Sequence, residues 1–318
     1  MPHAVYSTDS SQENKPLILP PTKNSLACVF YATNDLYAVA ILVAVRRLKK
    51  LGISSDIDIV TLHSTVSGYI LNAMHKLGVI TVSTYPPLLA TQRFFRNSLL
   101  KLRIFQLTQY ERIVFLDADA FLLTNLNSLF EVKLNEFIAM PRAYWVRHPY
   151  GTSALILARP SAELWQRLLS WLGDEVANGH DVPPDMDVFN LVFQSHIQYL
   201  PAEYMLLNGD WSDRSFVPVY GDPEVGLKLA QVIHFTDLGK PWFYYPQMVR
   251  RLRPNARQRY YEFWDTWWTL RDELWQASPA LDRFAYALLK HQAIFENLPR
   301  SLLVRIWVMM RRKRSLQN

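Results

Sequence analysis

Short apolar segments alternate with helix-like segments near the start of the chain, and few folds accommodate this order. The apolar runs lie at residues 26–31, 57–62 and 79–83, and helical patterns fill the two intervals at about 36–51 and 67–77. A glycine follows each helical pattern, as is common at helix C-termini. Strand, helix, strand, helix, strand at this spacing predicts a right-handed, mostly parallel sheet covered by helices, and therefore an α/β fold.

Further segments extend this pattern, and half of the 318 residues are hydrophobic, which is enough for a large core. The later strand-like segments lie at 112–121, 137–140 and 153–157, and the later helical patterns lie at about 94–107, 162–172, 186–193 and from 255 onward. Because no linker-like run interrupts the middle, we expect one large domain at 25–250 and a helical C-terminal extension at 251–318. The polar, proline-bearing residues 1–24 are expected to form a disordered leader.

The net charge of +6 is concentrated near the C-terminus. Six cations without an intervening acid equal the whole formal excess: Arg300, Arg305, Arg311, Arg312, Lys313 and Arg314. The rest of the chain is therefore close to neutral, which argues against a nucleic-acid-binding protein. Apolar residues are interspersed with these cations, so the tail is expected to make peripheral contact with an anionic membrane, or else to pack on the protein as a helix with a basic end.

The single cysteine, Cys28, excludes an intramolecular disulfide and favours a reducing compartment. The longest apolar runs of the sequence are about half the length needed to span a bilayer, and residues 1–24 lack the pattern of a signal peptide. We therefore expect a cytoplasmic protein, which could be membrane-associated through its basic tail. Whether it forms a homodimer is left open by the sequence.

Two aspartates directly follow a run of four large apolar residues. Asp117 and Asp119 come after Ile113–Leu116, and the C-terminal ends of buried strands in open α/β sheets face the crevice where ligands bind. Carboxylates at such a place are costly to desolvate unless a cation or hydrogen bonds compensate them. A hard divalent cation with carboxylate and phosphate ligands would do so. The alternative is a loop with two solvated aspartates.

Two classes of enzyme place such a pair of aspartates after a strand. A phosphatase of the haloacid-dehalogenase type uses the first aspartate as a nucleophile and usually carries this strand near the start of its domain. A nucleotide-sugar transferase places the pair after a complete strand-helix-strand-helix-strand unit that holds the nucleoside. The order along this chain favours the transferase, with the phosphatase and a catalytically silent nucleotide-sugar-binding protein as alternatives.

Several separated motifs between residues 26 and 245 carry a family resemblance. They are Tyr31–Ala38, Leu100–Leu102 upstream of Gln106–Tyr110, Phe115–Asp119, and Ile233–Phe235 followed by Gly239–Trp242. Together they resemble glycosyltransferase family 8, which contains glycogenin. The resemblance implies a GT-A fold, that is, a Rossmann-like nucleotide-sugar-binding fold. It also implies retaining transfer of a sugar from a UDP-sugar donor to an acceptor hydroxyl, with Mn²⁺, or Mg²⁺, as cofactor.

The resemblance also implies roles for individual residues. The metal ligands would be Asp117, Asp119 and His234, and Asp117 would also contact the donor ribose. Residues expected at the donor are Thr33, Asn34 and Tyr37 at the uracil, Lys101 near the donor, Thr152 and Ser153 in place of the family's Asn-Ser-Gly turn, and Lys240 at the diphosphate. The expected catalytic residues are Asp185, Asp187 and Lys240. Asp185 would lie beside the sugar, and Asp187 would do the same or cap the helix beginning near Met186.

The chain departs from the glycogenin pattern at three places. It has Asp185-Met186-Asp187 where glycogenin-like members have Asp-Gln-Gly, Thr152-Ser153-Ala154 where they have Asn-Ser-Gly, and Asp237 where they have glycine. The segments Asp185–Asn190 and Leu200–Tyr204 resemble fungal N-acetylglucosaminyltransferase-like members more than glycogenin, and the three departures argue against a self-glucosylating primer. The donor sugar is left open between N-acetylglucosamine, glucose and galactose, and the acceptor is expected to be a glycan or a small molecule. The fungal members make the Golgi the alternative location.

Overall fold

The computed structural model describes residue 17 and residues 19–87, 97–213, 221–278 and 281. Ten strands lie in this part of the chain: β1 Leu26–Ala32, β2 Ile57–His63, β3 Val79–Ser83, β4 Arg112–Leu116, β5 Ala120–Leu122, β6 Ile138–Pro141, β7 Leu155–Ala158, β8 Ile197–Leu200, β9 Met205–Leu207 and β10 Val232–His234. The α-helices in the same ranges are α1 Asp35–Leu51, α2 Gly68–Lys76, α3 Ala162–Ala177, α4 Asp185–Val192, α5 Pro223–Gly226, α6 Pro246–Leu252 and α7 Gln258–Ala277.

Seven of these strands form the central sheet, in the order β3-β2-β1-β4-β7-β6-β8. All neighbours are parallel except β7, which runs antiparallel to both β4 and β6. A smaller sheet has the order β5-β10-β9 and lies beside the end of β4, because β5 follows β4 after only three residues. The predicted mostly parallel α/β sheet is confirmed, and its one antiparallel strand was not foreseen.

Helix α1 shows why these elements form where they do. The side chain of Asn34 accepts hydrogen bonds from the backbone N–H groups of Leu36 and Tyr37 at 3.0 and 3.3 Å, which caps the helix N-terminus. Gly52 ends the helix in the left-handed conformation, with φ of 80°. Between these two ends every residue from Ala38 to Val45 is buried, because the helix packs on β1 and also on α7.

One predicted helix differs from what the structure contains. Of the segment 94–107, residues 94–96 lie outside the described part, and Ser98–Gln106 is 3-10 helical. The side chains from Leu99 to Phe105 are all buried, including those of Lys101 and Arg103. A segment enclosed on every side has no amphipathic period, so packing around Lys101 rather than helical propensity determines its geometry.

The helix α7 packs on α1 and α6. Its aromatic side chains Tyr260, Trp264 and Trp268 are buried in the same core as β5 and β10. The predicted disordered leader falls mostly, and the basic tail entirely, outside the described residues, so both remain predictions, as does the boundary at residue 250. Within the described ranges, no helix combines the length and the apolar character needed to cross a bilayer.

Candidate active site

The predicted site residues converge at the carboxyl edge of the central sheet. Asp117 and Asp119 follow β4, and Thr33 follows β1, which is the parallel neighbour of β4. Asp185 is the first residue of α4, and His234 is the last residue of β10. The sheet topology thus brings together side chains that are more than a hundred residues apart in sequence.

The predicted metal ligands form one compact group. Asp117, Asp119 and His234 each offer a ligand atom, and these atoms all lie within 4.8 Å of one another. Strand β10 places the histidine, because it pairs antiparallel with β5 so that His234 lies opposite Ala120. As a result His234 Nε2 lies 3.1 Å from Asp119 Oδ2. The sequence prediction named these three residues, and the structure brings them together.

Lys240 is a further residue that contacts Asp119. Its ammonium group donates a hydrogen bond to Asp119 Oδ2, the oxygen that also faces His234. Burial would raise the pKa of Asp119, which is only 3% exposed, but the charges of His234 and Lys240 outweigh burial and hold that pKa well below its usual range. Burial lowers the pKa of Lys240, yet Asp119 more than reverses this and raises it. Asp119 is therefore a carboxylate and Lys240 an ammonium ion at neutral pH.

The buried ammonium group of Lys101 contacts both Asp117, one of the predicted metal ligands, and Asp185, the first residue of α4. Its Nζ atom lies 2.9 Å from Asp117 Oδ1 and 2.5 Å from Asp185 Oδ2. It also donates to the carbonyl and hydroxyl oxygens of Ser153 at 3.1 and 3.2 Å, and Ser153 Oγ donates to Asp185 at 2.7 Å. Lys101 is 1% exposed, so burial lowers its pKa, but the two aspartates raise it by more. The fully buried ammonium group is thus held charged by its partners.

The two aspartates that contact Lys101 differ in the direction of their pKa shifts. Burial raises the pKa of Asp185, but Lys101 and the hydroxyl of Ser153 outweigh it, and the pKa falls below its usual value. For Asp117 the effect of burial exceeds the opposing effect of Lys101, and the pKa of Asp117 is raised. Its buried Oδ1 atom forms an ion pair with Lys101 but no hydrogen bond. The negative charge of Asp117 is therefore compensated less completely than that of Asp185.

These observations fit a divalent cation. Two carboxylates and an imidazole are ligands that Mn²⁺ and Mg²⁺ accept in proteins. Asp117 Oδ1, which is buried and forms an ion pair but no hydrogen bond, is the kind of atom that a metal ion satisfies. The residues present would hold such an ion through Asp117, Asp119 and His234.

The predicted nucleotide residues lie beside β1 and β2. The side-chain oxygen of Asn34 is used in capping α1, so any contact of Asn34 with a base would come from its amide nitrogen or its backbone. The ring of Tyr37 packs edge-on against Trp242, with centroids 5.3 Å apart. The carbonyl of Thr33 accepts a hydrogen bond from Ser64 Oγ at 3.4 Å. The assignment of these three residues to uracil remains a prediction.

The residues predicted around the sugar have different surroundings. Thr152 is buried, and its hydroxyl accepts a hydrogen bond from Ala154 N at 3.4 Å, which stabilises its own turn. Asp187 accepts a hydrogen bond from the Tyr150 hydroxyl. The helix α4 begins at Asp185 after Pro184, with no side-chain cap. The alternative role of Asp187 as a helix cap is therefore not what the structure shows.

Sequence reasoning missed several residues that support the site. The amide of Asn190 binds both the N–H and the C=O of Gly151 at 2.8 Å, which holds the strand leading to Ser153. The ring of Tyr31 stacks on that of Phe115 at 6.0 Å and lies 5.9 Å from Lys101 Nζ. The partner of Asp237, Arg253, was also missed. Only Asp237 gave a signal, as a departure from the glycogenin pattern.

Comparison with known proteins gives a family match and a fold. Residues 28–163 match the model described as Glycosyl transferase family 8. Glucose N-acetyltransferase 1 of Gibberella zeae is 28% identical over 46% of this chain and 34% of its own length. Human glycogenin-1 is 29% identical over 54% of this chain and 49% of its own length, and glycogenin-1 of Oryctolagus cuniculus is 28% identical over 77% and 74%. This chain thus spans less than half the length of the fungal relative and about half that of human glycogenin-1.

Two solved structures share the architecture at low sequence identity. The WbbM bifunctional glycosyltransferase has a TM-score of 0.60 and 17% identity over 82% of this chain and 53% of its own. The galactosyltransferase LgtC, solved with donor and acceptor sugar analogues, has a TM-score of 0.58 and 15% identity over 79% and 99%. The resemblance given by the motifs is confirmed: this chain has a GT-A fold and is similar to glycosyl transferase family 8 over residues 28–163 and to glycogenins.

Proposed function

We propose that this protein is a metal-dependent, retaining glycosyltransferase that moves a sugar from a UDP-sugar to an acceptor hydroxyl. The observation that carries the proposal is the group of Asp117, Asp119 and His234, flanked by the buried Lys101 and by Lys240. Two carboxylates and an imidazole suit a divalent ion, and two ammonium groups next to it suit a diphosphate. The family match and the glycogenin-like relatives support the same reaction class.

The chemistry of the leaving group explains the positive charges. When the bond between the anomeric carbon and the phosphate oxygen breaks, the diphosphate gains negative charge. A divalent ion, Mn²⁺ in our proposal, would supply a Lewis acid for the phosphate oxygens. Lys240 has a side chain that is 33% exposed, so it can reach a phosphate oxygen from its place beside Asp119. A charged group fixed where charge develops lowers the barrier without reorganisation.

Asp185 is the carboxylate best placed to serve the sugar. Lys101 and Ser153 keep it ionised and fix its orientation. A fixed negative charge beside the sugar stabilises an oxocarbenium-like centre or accepts hydrogen bonds from the sugar hydroxyls. Asp187, which accepts a hydrogen bond from the Tyr150 hydroxyl, is the second carboxylate in the same turn of the helix. Front-face attack and double displacement are both compatible with two carboxylates in this arrangement.

The decisive experiment measures UDP release from UDP-glucose, UDP-galactose and UDP-N-acetylglucosamine, with Mn²⁺, with Mg²⁺ and with chelator. The wild type should release UDP only with the metal, and Asp119→Asn should lose nearly all of this activity. Asp174→Asn is the matched control, because Asp174 is an exposed residue of α3, and it should behave as the wild type. Asp119→Asn activity equal to wild type at saturating Mn²⁺ would remove Asp119 as a ligand and the central claim with it.

The same experiment separates the alternatives. A catalytically silent protein would bind UDP in calorimetry but release none from any donor. A haloacid-dehalogenase-type phosphatase would release phosphate from a simple ester such as p-nitrophenyl phosphate, but the GT-A fold does not favour it. A cytoplasmic location stays a proposal, as do the homodimer and the contact of the tail with membranes.

A further inference from the structure

The loop between β6 and β7 presents positive charge next to the candidate active site. Arg142, Arg147 and His148 are exposed there. None of the ion pairs formed by the described residues includes any of these three side chains. Arg142 and Arg147 are exposed cations without a described carboxylate partner, so both remain available to bind an external anion.

The base of this loop is held firmly. Arg142 and Gly151 form an isolated β-bridge, and the N–H of Ala143 donates to the carbonyl of Tyr150 at 2.8 Å. The hydroxyl of Tyr144 donates to Asp210 Oδ2 at 2.6 Å. The loop therefore carries its exposed side chains from a fixed frame, which reduces the entropy lost when they bind a ligand.

A continuous set of contacts joins the loop to the sugar-binding carboxylates. Tyr150 donates to Asp187, and the ring of His148 packs edge-on against the ring of Tyr150 with centroids 5.3 Å apart. Tyr199 is exposed on β8, the parallel neighbour of β6. In the register of β6 and β8, Tyr199 lies opposite Met140, and the N–H of Arg142 donates to the carbonyl of Leu200 at 3.1 Å, so Arg142 and Tyr199 occupy neighbouring positions on the two segments.

The β6–β7 loop and Tyr199 lie away from the predicted nucleotide site. It lies at the carboxyl ends of β6 and β8, whereas the predicted uracil residues follow β1, on the other side of β4 and β7 in the sheet. In the proposed function the cation at the donor diphosphate is Lys240, which lies beside Asp119. Arg142 and Arg147 are therefore not needed for the donor, and an acceptor that approaches Asp187 from the side away from the nucleotide passes over them.

We propose that Arg142, His148, Tyr150 and Tyr199 form an acceptor subsite for a sugar that bears an anionic group, a phosphate or a carboxylate. This inference rests on the proposed transferase function. The rings of the two tyrosines offer flat, partly apolar faces on which a sugar ring can stack. The planar guanidinium group of Arg142 matches the oxygens of a phosphate or carboxylate in a bidentate contact, and Arg147 adds charge from the same loop.

The test uses the full chain saturated with UDP and Mn²⁺, so that the diphosphate site is already filled. Binding of glucose, glucose 6-phosphate and glucuronic acid is measured by calorimetry or saturation-transfer NMR. The wild type should bind at least one anionic sugar on the order of tenfold more tightly than glucose, because charge-assisted bidentate bonds are about twice as strong as neutral ones. The two anionic sugars distinguish a phosphate from a carboxylate.

The variant Arg142→Gln/Arg147→Gln should bring the ratio of anionic to neutral affinity close to one. Arg251→Gln is the matched control, because Arg251 is an exposed arginine of α6 with no described ion-pair partner, and it should keep the wild-type ratio. Both replaced arginines are exposed, so unfolding is not expected, and equal thermal midpoints check this. The single variants provide a second measurement in case the double variant is unstable.

Two results would overturn the inference. Equal affinity of the wild type for all three sugars would show that no anion subsite exists, and a preference that survives in the double variant would place it elsewhere. In either case, Mn²⁺-dependent release of UDP from a UDP-sugar by the wild type would leave the proposed function standing. If the wild type neither binds UDP nor releases it, the proposed function fails, and the inference fails with it.

Discussion

The pair of Asp237 and Arg253 provides the sharpest test of how the site is held in place. Arg253 Nε and Nη2 donate to the two oxygens of Asp237 at 2.8 and 2.6 Å, and the two side chains are 4% and 18% exposed, respectively. Ser212 and Tyr260 also donate to Asp237, each at 2.8 Å. Asp237 thus ties the segment between His234 and Lys240 to α6 and α7, and we expect Asp237→Asn to destabilise the fold.

The size of the effect follows from burial. Removing one partner of a fully buried ion pair costs about 3–5 kcal/mol, because the other charge is left without compensation. Asp213 lies 3.6 Å from Arg253 and compensates part of this charge, so we expect Asp237→Asn to lower the free energy of unfolding by about 2–4 kcal/mol. Leu238, which follows Asp237, has a φ of 58°, and this strained backbone depends on the surrounding bonds.

The sign of the pH dependence provides a second readout. Burial raises the pKa of Asp237, but Arg253, Tyr260 and Ser212 outweigh it, and the pKa in the folded protein is lowered. A lowered pKa contributes stability above the unfolded value of about 3.9, and this contribution is lost as pH falls through the folded pKa. The difference in the free energy of unfolding between wild type and Asp237→Asn should therefore be at its maximum at pH 7 and should decrease below about pH 4.

The assay is urea unfolding followed by tryptophan fluorescence, and the chain offers a matched control. Arg250 and Asp265 also form a bidentate pair, through Nη1 and Nη2 at 2.9 and 2.6 Å, but their side chains are 43% and 40% exposed. Exposed pairs contribute about 0–1 kcal/mol, so Asp265→Asn should change stability little. If Asp237→Asn costs no more than Asp265→Asn, the argument from burial is wrong.

Three further predictions concern the donor site, the strand beside it and the tail. UDP should bind more tightly than ADP or GDP by about 1 kcal/mol or more, because unpaired polar base edges cost that much, and equal affinities in calorimetry would remove the uridine assignment. Gly151→Ala should destabilise the protein by about 1–3 kcal/mol in urea unfolding. The reason is that an added Cβ would lie 2.9 Å from both Cβ and Cε of Met140, and an unchanged midpoint would show that Met140 moves aside. The intact chain should co-sediment with anionic vesicles at low salt and a form ending at Pro299 should not, whereas equal sedimentation of both would exclude the tail as an anchor.

The parts of the fold that sequence could predict are those set by local patterns. The alternation of apolar and amphipathic segments fixed β1, α1, β2, α2 and β3, and Asn34 and Gly52 marked the two ends of α1. The direction of β7 could not be predicted, because it depends on pairing with β4 and β6 and not on any pattern within Leu155–Ala158. The segment around Lys101 was misassigned for the same reason, since its burial is a property of the neighbouring elements.

The candidate site also contains residues that local patterns indicate and residues that only long-range pairing places there. Asp117 and Asp119 stand out locally as carboxylates after an apolar strand, but nothing local joins them to His234 or Lys240, and only the family resemblance supplied that connection. The pairing of β10 with β5 is the physical cause that places His234 beside Asp119. Arg253 gave no local signal, because its role depends entirely on Asp237, sixteen residues earlier.

The charges at the site explain why its lysines belong with the metal ligands. Lys101 lies between Asp117 and Asp185, and Lys240 contacts Asp119, so three carboxylates share two ammonium groups. Burial leaves Asp117 as the member whose charge is least compensated, as its raised pKa shows. A cation held at Asp117 and Asp119 would compensate that charge and would compete with Lys240 for Asp119, freeing the ammonium group to turn toward a phosphate. The contact between Lys240 and Asp119 is therefore consistent with the proposed binding of both a metal ion and a diphosphate at this site.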